Sequence, residues 1–214
     1  MAQKRTIRRI VGLCCLVGLV GIGHVAGAQE FSADMTKNNG RADKIYAGKT
    51  KVRWESNEQN STMGRTAAIL DDAQNTWVIL MPDRRMYMDS PPGMMVKQLL
   101  THLWRVQDAD NACPEWKKVA EEAGSDKNWG SCTKIGSDTV NGRSAVKYEG
   151  VSKDGKKTHI WVDSKLRCVV KTDEGSGSFE LRNIQEGPQP ASLFEIPAGY
   201  TKFDMGAMMK QRQQ

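Results

Sequence analysis

The feature that most constrains this chain is a succession of short alternating segments joined by tight turns. Thr50, Val52 and Trp54 point one way, and Lys51, Arg53 and Glu55 the other, which is a strand with one wet and one buried face. Asn141-Gly142 and Asp154-Gly155 are hairpin signals between further strand-like runs at 133–140, 143–151 and 158–162. Runs at 167–172 and 178–183 follow, and 194–200 closes the chain. Connections this short favour antiparallel pairing, and the missing crossover helices argue against a doubly wound fold.

The first block runs from Phe31 to Asp89. Phe31–Met35 alternates weakly, and Ser56–Ser61 reads as a polar loop. Thr66–Leu70 is a strand, 71–75 a turn, and Met86–Met88 a return strand after the Pro82–Arg85 turn. Thr76–Met81 is apolar on both faces and so predicts a strand covered on both sides. The period then changes. Val96, Leu99, Leu100 and Leu103 fit an amphipathic helix over 94–106, with His102 on its other side. Pro114 suits the first turn of a second helix, with Trp116, Val119, Ala120 and Ala123 on one stripe and Gly124 as its stop.

Residues 1–28 have the form of a cleavable secretory signal. Lys4, Arg5, Arg8 and Arg9 precede an apolar run from Ile10 to about Ile22, and Ala26-Gly27-Ala28 is a small-x-small site that places cleavage between Ala28 and Gln29. The run is short and Gly-rich for a membrane-spanning helix, which needs about 20 apolar residues. Cys14 and Cys15 lie inside it, with Leu13 rather than a small residue before them, so they read as apolar leader residues and not as a lipidation site. The expectation is one domain, 29–214, with a frayed tail at about 204–214, located in the periplasm or secreted.

Removing the leader changes the charge. The chain has 31 Lys and Arg against 25 Asp and Glu; four basic and no acidic residues fall in 1–28, leaving 27 against 25. No basic stripe with interleaved aromatics remains, so no nucleic-acid partner is expected. Three cysteines stay: Cys113, Cys132 and Cys168. Cys113 and Cys132 share a loop-rich segment near Pro114 and Gly130, whereas Cys168 sits in a strand-like run. In an oxidising compartment this favours a Cys113–Cys132 bridge, with Cys168 a buried thiol. A bridge closing a loop of this size stabilises by about 3 kcal/mol in the chain-entropy account.

Catalytic patterns are missing. Beyond the leader only His102 and His159 are available, and neither lies in a nucleophile-elbow, metalloprotease or cysteine-protease context. Ala47-Gly48-Lys49-Thr50 has the end of a phosphate loop, but Asp43 stands where that loop requires glycine. Spaced Cys/His pairs for zinc are also missing. The expectation is a non-enzymatic protein without a cofactor. Methionine is the unusual residue: Met81, Met86 and Met88 surround one hairpin, and Met94-Met95 opens the helix. They fit ordinary core packing, an adaptable lining for acyl chains, or Cu(I) ligation by the thioethers of Met86 and Met88. Trp54, Trp77 and Trp161 fall in strands, where core packing is the default.

Three stretches together resemble the LolA/LolB-like lipoprotein-carrier superfamily, and within it a family of exported bacterial proteins without an assigned role. They are Gly48-Lys49-Thr50-Lys51-Val52-Arg53-Trp54-Glu55, then Ala67–Asp72 with Thr76-Trp77-Val78-Ile79, then Leu193-Phe194-Glu195-Ile196-Pro197-Ala198-Gly199-Tyr200. The resemblance implies a mainly β (α+β) fold, a curved antiparallel sheet forming an incomplete barrel with short helices over its concave face. It implies shielding of a lipid or lipoprotein acyl chain, with transient contact to a membrane or membrane protein. The carriers' lid-holding arginine stands in an Arg-Pro context that this sequence lacks, so that role does not pass to Arg53. The expected cleft lining is Val52, Trp54, Trp77, Ile79, Met81, Met86, Met88, Leu99, Leu103 and Trp161, where strand parity groups residues by face without saying which face is inner.

Overall fold

The computed structural model describes residues 29–60, 63–89, 100–174 and 177–203. Its strands are β1 (Phe31–Lys37), β2 (Ala42–Ala47), β3 (Lys51–Asn60), β4 (Gly64–Asp71), β5 (Thr76–Met81) and β6 (Met86–Asp89), then β7 (Trp129–Val140), β8 (Arg143–Ser152), β9 (Lys157–Asp163), β10 (Val169–Asp173), β11 (Phe179–Glu186) and β12 (Thr201–Lys202). One α-helix, α1 (Ala112–Glu122), is found among the described residues, together with a wide helical turn at Leu100–Trp104. All twelve strands belong to one open sheet, ordered β12-β6-β5-β4-β3-β2-β1-β11-β10-β9-β8-β7. It consists of two antiparallel meanders, β1–β6 and β7–β11, joined where β1 pairs with β11.

The turn chemistry acts as expected. Asn141 (φ 49°) and Gly142 (φ 77°) both take the left-handed conformation of the two-residue turn between β7 and β8. Several boundaries differ. Ala42–Ala47 is a strand that the sequence does not advertise, because its inward-facing set includes a charged residue, Asp43. Ser56–Asn60 continues β3 instead of forming a polar loop, held through the Ser56↔Thr66 and Asn60↔Gly64 pairs on either side of an irregularity. The closing strand β12 is parallel to β6, the exception in an otherwise antiparallel sheet. Of the helix expected over 94–106, residues 94–99 lie outside the described residues, 100–104 are helical, and Arg105 and Val106 are not.

Register places Ile160, Thr172 and Phe179 in one cross-strand row, with Leu181 beside Met35, and Ala33 opposite Ile45 and then Trp54. This continuous face is concave, and the helical elements cover it. Leu100 and Trp104 pack into a cluster with Phe31, Ile45, Val52, Leu70 and Leu181. Under α1, Trp116 meets Tyr148 edge-to-face at 5.2 Å above Val146, Val162 and Val169. The Tyr148 hydroxyl donates to the Ala109 carbonyl (2.7 Å) and accepts from the Ala112 amide (3.2 Å), fixing the entry to the helix. A bridge between Cys113 and Cys132, with Cα atoms 5.6 Å apart, ties α1 to β7, and Cys168 is a buried free thiol whose ionisation burial opposes.

The outer face of β4 and β5 is covered as well. Ala67, Ile69 and Leu80 pack beneath Phe194 from the C-terminal turn, with Val78, Tyr87 and Tyr200 at the margin. Thr76–Met81 therefore packs apolar side chains on both faces, with Leu80 and Met81 fully buried and Trp77, Val78 and Ile79 half-buried.

Candidate functional site

On the concave face of the first meander, two cross-strand rows are apolar. Val52, Leu70 and Trp77 form one, and Trp54, Ala68, Ile79 and Met88 the next, with Met81 opposite Met86 beyond them. Directly opposed residues share a face, so these side chains from β3–β6 line one surface. Val52 and Met81 are buried, while Trp54, Trp77, Ile79, Met86 and Met88 are half-buried. Leu103 packs against the clusters under both helical elements. Leu99 lies outside the described residues. Trp161 is buried too but placed differently. It alternates with Ile160 and Val162 and so lies on the outer face, where Lys147 and Lys171 flank its ring at 4.8 and 5.0 Å and Asp138 accepts its indole N–H at 2.8 Å. Register puts it on the opposite face of the sheet from Trp54 and Trp77, although its contacts join it to the cluster against which they pack.

Trp54 is held by groups that sequence pattern does not reveal. The Asp43 side chain is fully buried; its Oδ2 accepts the Trp54 Nε1–H at 2.7 Å and its Oδ1 the Asn57 amide at 3.0 Å. Lys37 Nζ sits 2.9 Å from Asp43 and 5.6 Å from the centre of the Trp54 ring. Burial works against the Lys37 charge, but the hydrogen bond and charge of Asp43, with Glu58 adding to them, outweigh it and lift the lysine above its ordinary pKa. A buried carboxylate at the end of this apolar face is tolerable because it is paired and hydrogen-bonded.

A second device joins the two meanders at one end. Arg105 donates from Nη1 to the Lys49 carbonyl (2.5 Å) and from Nη2 to the Gly48 carbonyl (3.1 Å), while the Val106 amide donates to the Arg167 carbonyl (2.9 Å). The exit of the helical turn thus bridges the β2–β3 and β9–β10 connections. No group of three or more His, Cys, Asp or Glu among the described residues is arranged to hold a metal ion.

The three stretches that carry the resemblance meet in space, but on the outer face. Arg53 Nη1 donates to the Leu193 carbonyl at 2.9 Å, and a β-carbon on Gly48 would lie 2.9 Å from the Phe194 ring. Phe194 then covers Ile69 and Leu80. The outward-facing residues of these stretches close the fold, and the alternate residues of the first two supply much of the concave apolar rows.

No protein-family profile and no curated protein matches this sequence. Among solved structures, it is similar to an uncharacterized conserved protein from Thermus thermophilus, with 9% identity, a TM-score of 0.50, and coverage of 82% of this chain and 90% of that one. At that identity the likeness concerns fold alone. A LolA superfamily protein from Nitrosomonas europaea aligns at 10% identity and a TM-score of 0.27 over 78% of this chain and 89% of that one. MucB of Pseudomonas aeruginosa, in its complex with MucA, aligns at 17% identity and a TM-score of 0.37 over 81% of this chain; the match spans 57% of the MucB chain, little more than half its length. The architecture is one large open sheet, antiparallel except where β12 meets β6, with helical elements packed on one face, and it fits the curved, incomplete barrel expected from the sequence.

Proposed function

We propose that this is an exported, periplasmic, non-enzymatic protein that shields an apolar ligand, a lipid or a lipoprotein acyl chain, between the concave face of β3–β6 and the helical elements. The observation that supports it is the half-buried ladder Trp54, Ala68, Ile79 and Met88, flanked by Trp77 and Met86. Such a surface on a curved sheet matches a flexible chain, and thioethers adapt to its shape. Each buried methylene contributes about 0.8 kcal/mol, so a long acyl chain supplies ample driving force. Val52, Met81, Leu103 and, by its helical spacing, Leu99 complete the proposed lining.

The test is organic extraction of the purified exported protein followed by lipid mass spectrometry. A stoichiometric lipid or fatty acid is the expected result, and Ile79→Asp should lose it while keeping the wild-type circular dichroism. An empty extract from folded, disulfide-bonded protein, which also fails to take up added fatty acid, sinks the reading.

A further inference from the structure

We propose that the cleft between the β2–β3 and β9–β10 connections is an anion site that takes a phosphate group. This deepens the functional reading above by naming the polar end of an amphipathic ligand, and rests on that reading where the phosphate belongs to a lipid. The cleft has a volume of about 270 Å³, and Lys49, Arg105, Lys165 and Arg167 line it, with Trp104 and Leu166 among its apolar walls. Asp72 is the one carboxylate in its lining, 4.0 Å from Arg105 Nε. Lys165 is shared with Glu186 at 2.5 Å, and Arg167 Nη1 reaches the Gln107 carbonyl at 3.3 Å.

One of these cations has capacity to spare. Lys49 is exposed and has no ion pair among the described residues. Arg105 gives both terminal nitrogens to carbonyls and its buried Nε faces Asp72 at 4.0 Å, so it contributes fixed positive charge to the cleft wall rather than a free donor. Arg167 adds a different observation. It has a φ of 54°, a backbone conformation at which glycine or asparagine is at ease, yet the position carries a long cation.

The cations arrive from three directions: the β2–β3 connection, the exit of the helical turn and the β9–β10 connection. A tetrahedral oxyanion accepts from several sides at once, whereas the two oxygens of a carboxylate lie in one plane, so the geometry favours phosphate. Trp104 and Leu166 belong to the main apolar cluster, so the cleft opens where that core approaches the surface. A phosphate there leaves the remainder of an attached lipid next to apolar walls.

The experiment is titration calorimetry of the purified protein with three probes: dihexanoyl phosphatidic acid, dihexanoylglycerol and inorganic phosphate. It is repeated on Lys49→Ala and on Arg167→Asn, which suits the left-handed backbone, with thermal melts as the control for folding. Phosphatidic acid should bind, each substitution should weaken it about tenfold, and dihexanoylglycerol should be unaffected. Inorganic phosphate bound and weakened by the same substitutions, with neither lipid bound, supports the anion site with a soluble source and removes the lipid reading. Phosphatidic acid and dihexanoylglycerol bound alike, or phosphate-compound binding indifferent to both substitutions, overturns the anion site and leaves the apolar reading standing. Failure of both phosphate compounds to bind overturns the proposal outright.

Discussion

Asp43 shows how one residue couples stability to the shape of the proposed ligand surface. It accepts the Trp54 indole, so removing it frees a tryptophan from its place in the ladder and leaves Lys37, which is partly exposed, with Glu58 as its remaining partner. Asp43→Ala is expected to destabilise by about 2 kcal/mol, the cost of leaving the half-buried Trp54 indole and the Asn57 amide without their acceptor, read as a shift in the urea midpoint. Asp43→Asn keeps an acceptor for the indole and should cost less. Charge also sets acid sensitivity. Lys44 and Asn183 hold the Asp34 carboxyl below its ordinary value, and Lys165 and Arg143 do the same for Glu186 against that carboxyl's partial burial. Groups depressed in the folded state take up protons first in the unfolded chain. Their stabilisation is therefore complete above the ordinary carboxylate range and lost as pH falls below roughly 4. Melts at pH 7, 4 and 3 should show that loss, and a melting temperature independent of pH over this range would refute it.

Among the elements, α1 has the most local attachment. The Cys113–Cys132 bridge and the Tyr148 hydroxyl fix its first turn, and the exposed residues of its last turns fray more easily. Cys113→Ser with Cys132→Ser should cost about 3 kcal/mol. Hydrogen exchange should then rise in α1 and leave β1–β6 protected. On the neighbouring edge, a β-carbon at Gly130 would collide with the Val151 carbonyl oxygen. Gly130→Ala must therefore push β7 away from β8, which exchange at 129–132 will report. Elements with a clean period are legible from sequence: β5, the Asn141-Gly142 hairpin, α1 and its disulfide. Those that are not have physical reasons. β2 buries a carboxylate in place of an apolar residue, and the end of β3 is polar yet held by its partner strand. Residue type groups Trp161 with Trp54 and Trp77, and only register across the intervening strands separates their faces. The anion cleft is not legible at all, since its cations come from positions 49, 105, 165 and 167 and meet through tertiary contacts.

For the whole molecule, the closing segment matters as much as the sheet. Phe194 is 9% exposed over Ala67, Ile69 and Leu80, so Phe194→Ala should cost about 3 kcal/mol and loosen β12 from β6. The joint between the meanders has a kinetic consequence. Every other antiparallel ladder links consecutive strands, but β1 finds β11 from near the other end of the sequence, with Phe31 opposite Glu186. A chain emerging from its N-terminus can form β1–β6 early, yet β1 then presents a row of unpaired amides and carbonyls until residues near 186 arrive. Over that interval the half-made sheet is a template for strangers. Exposure to aggregation is therefore greatest in the interval before the last strands arrive, and closing the β1–β11 ladder ends it.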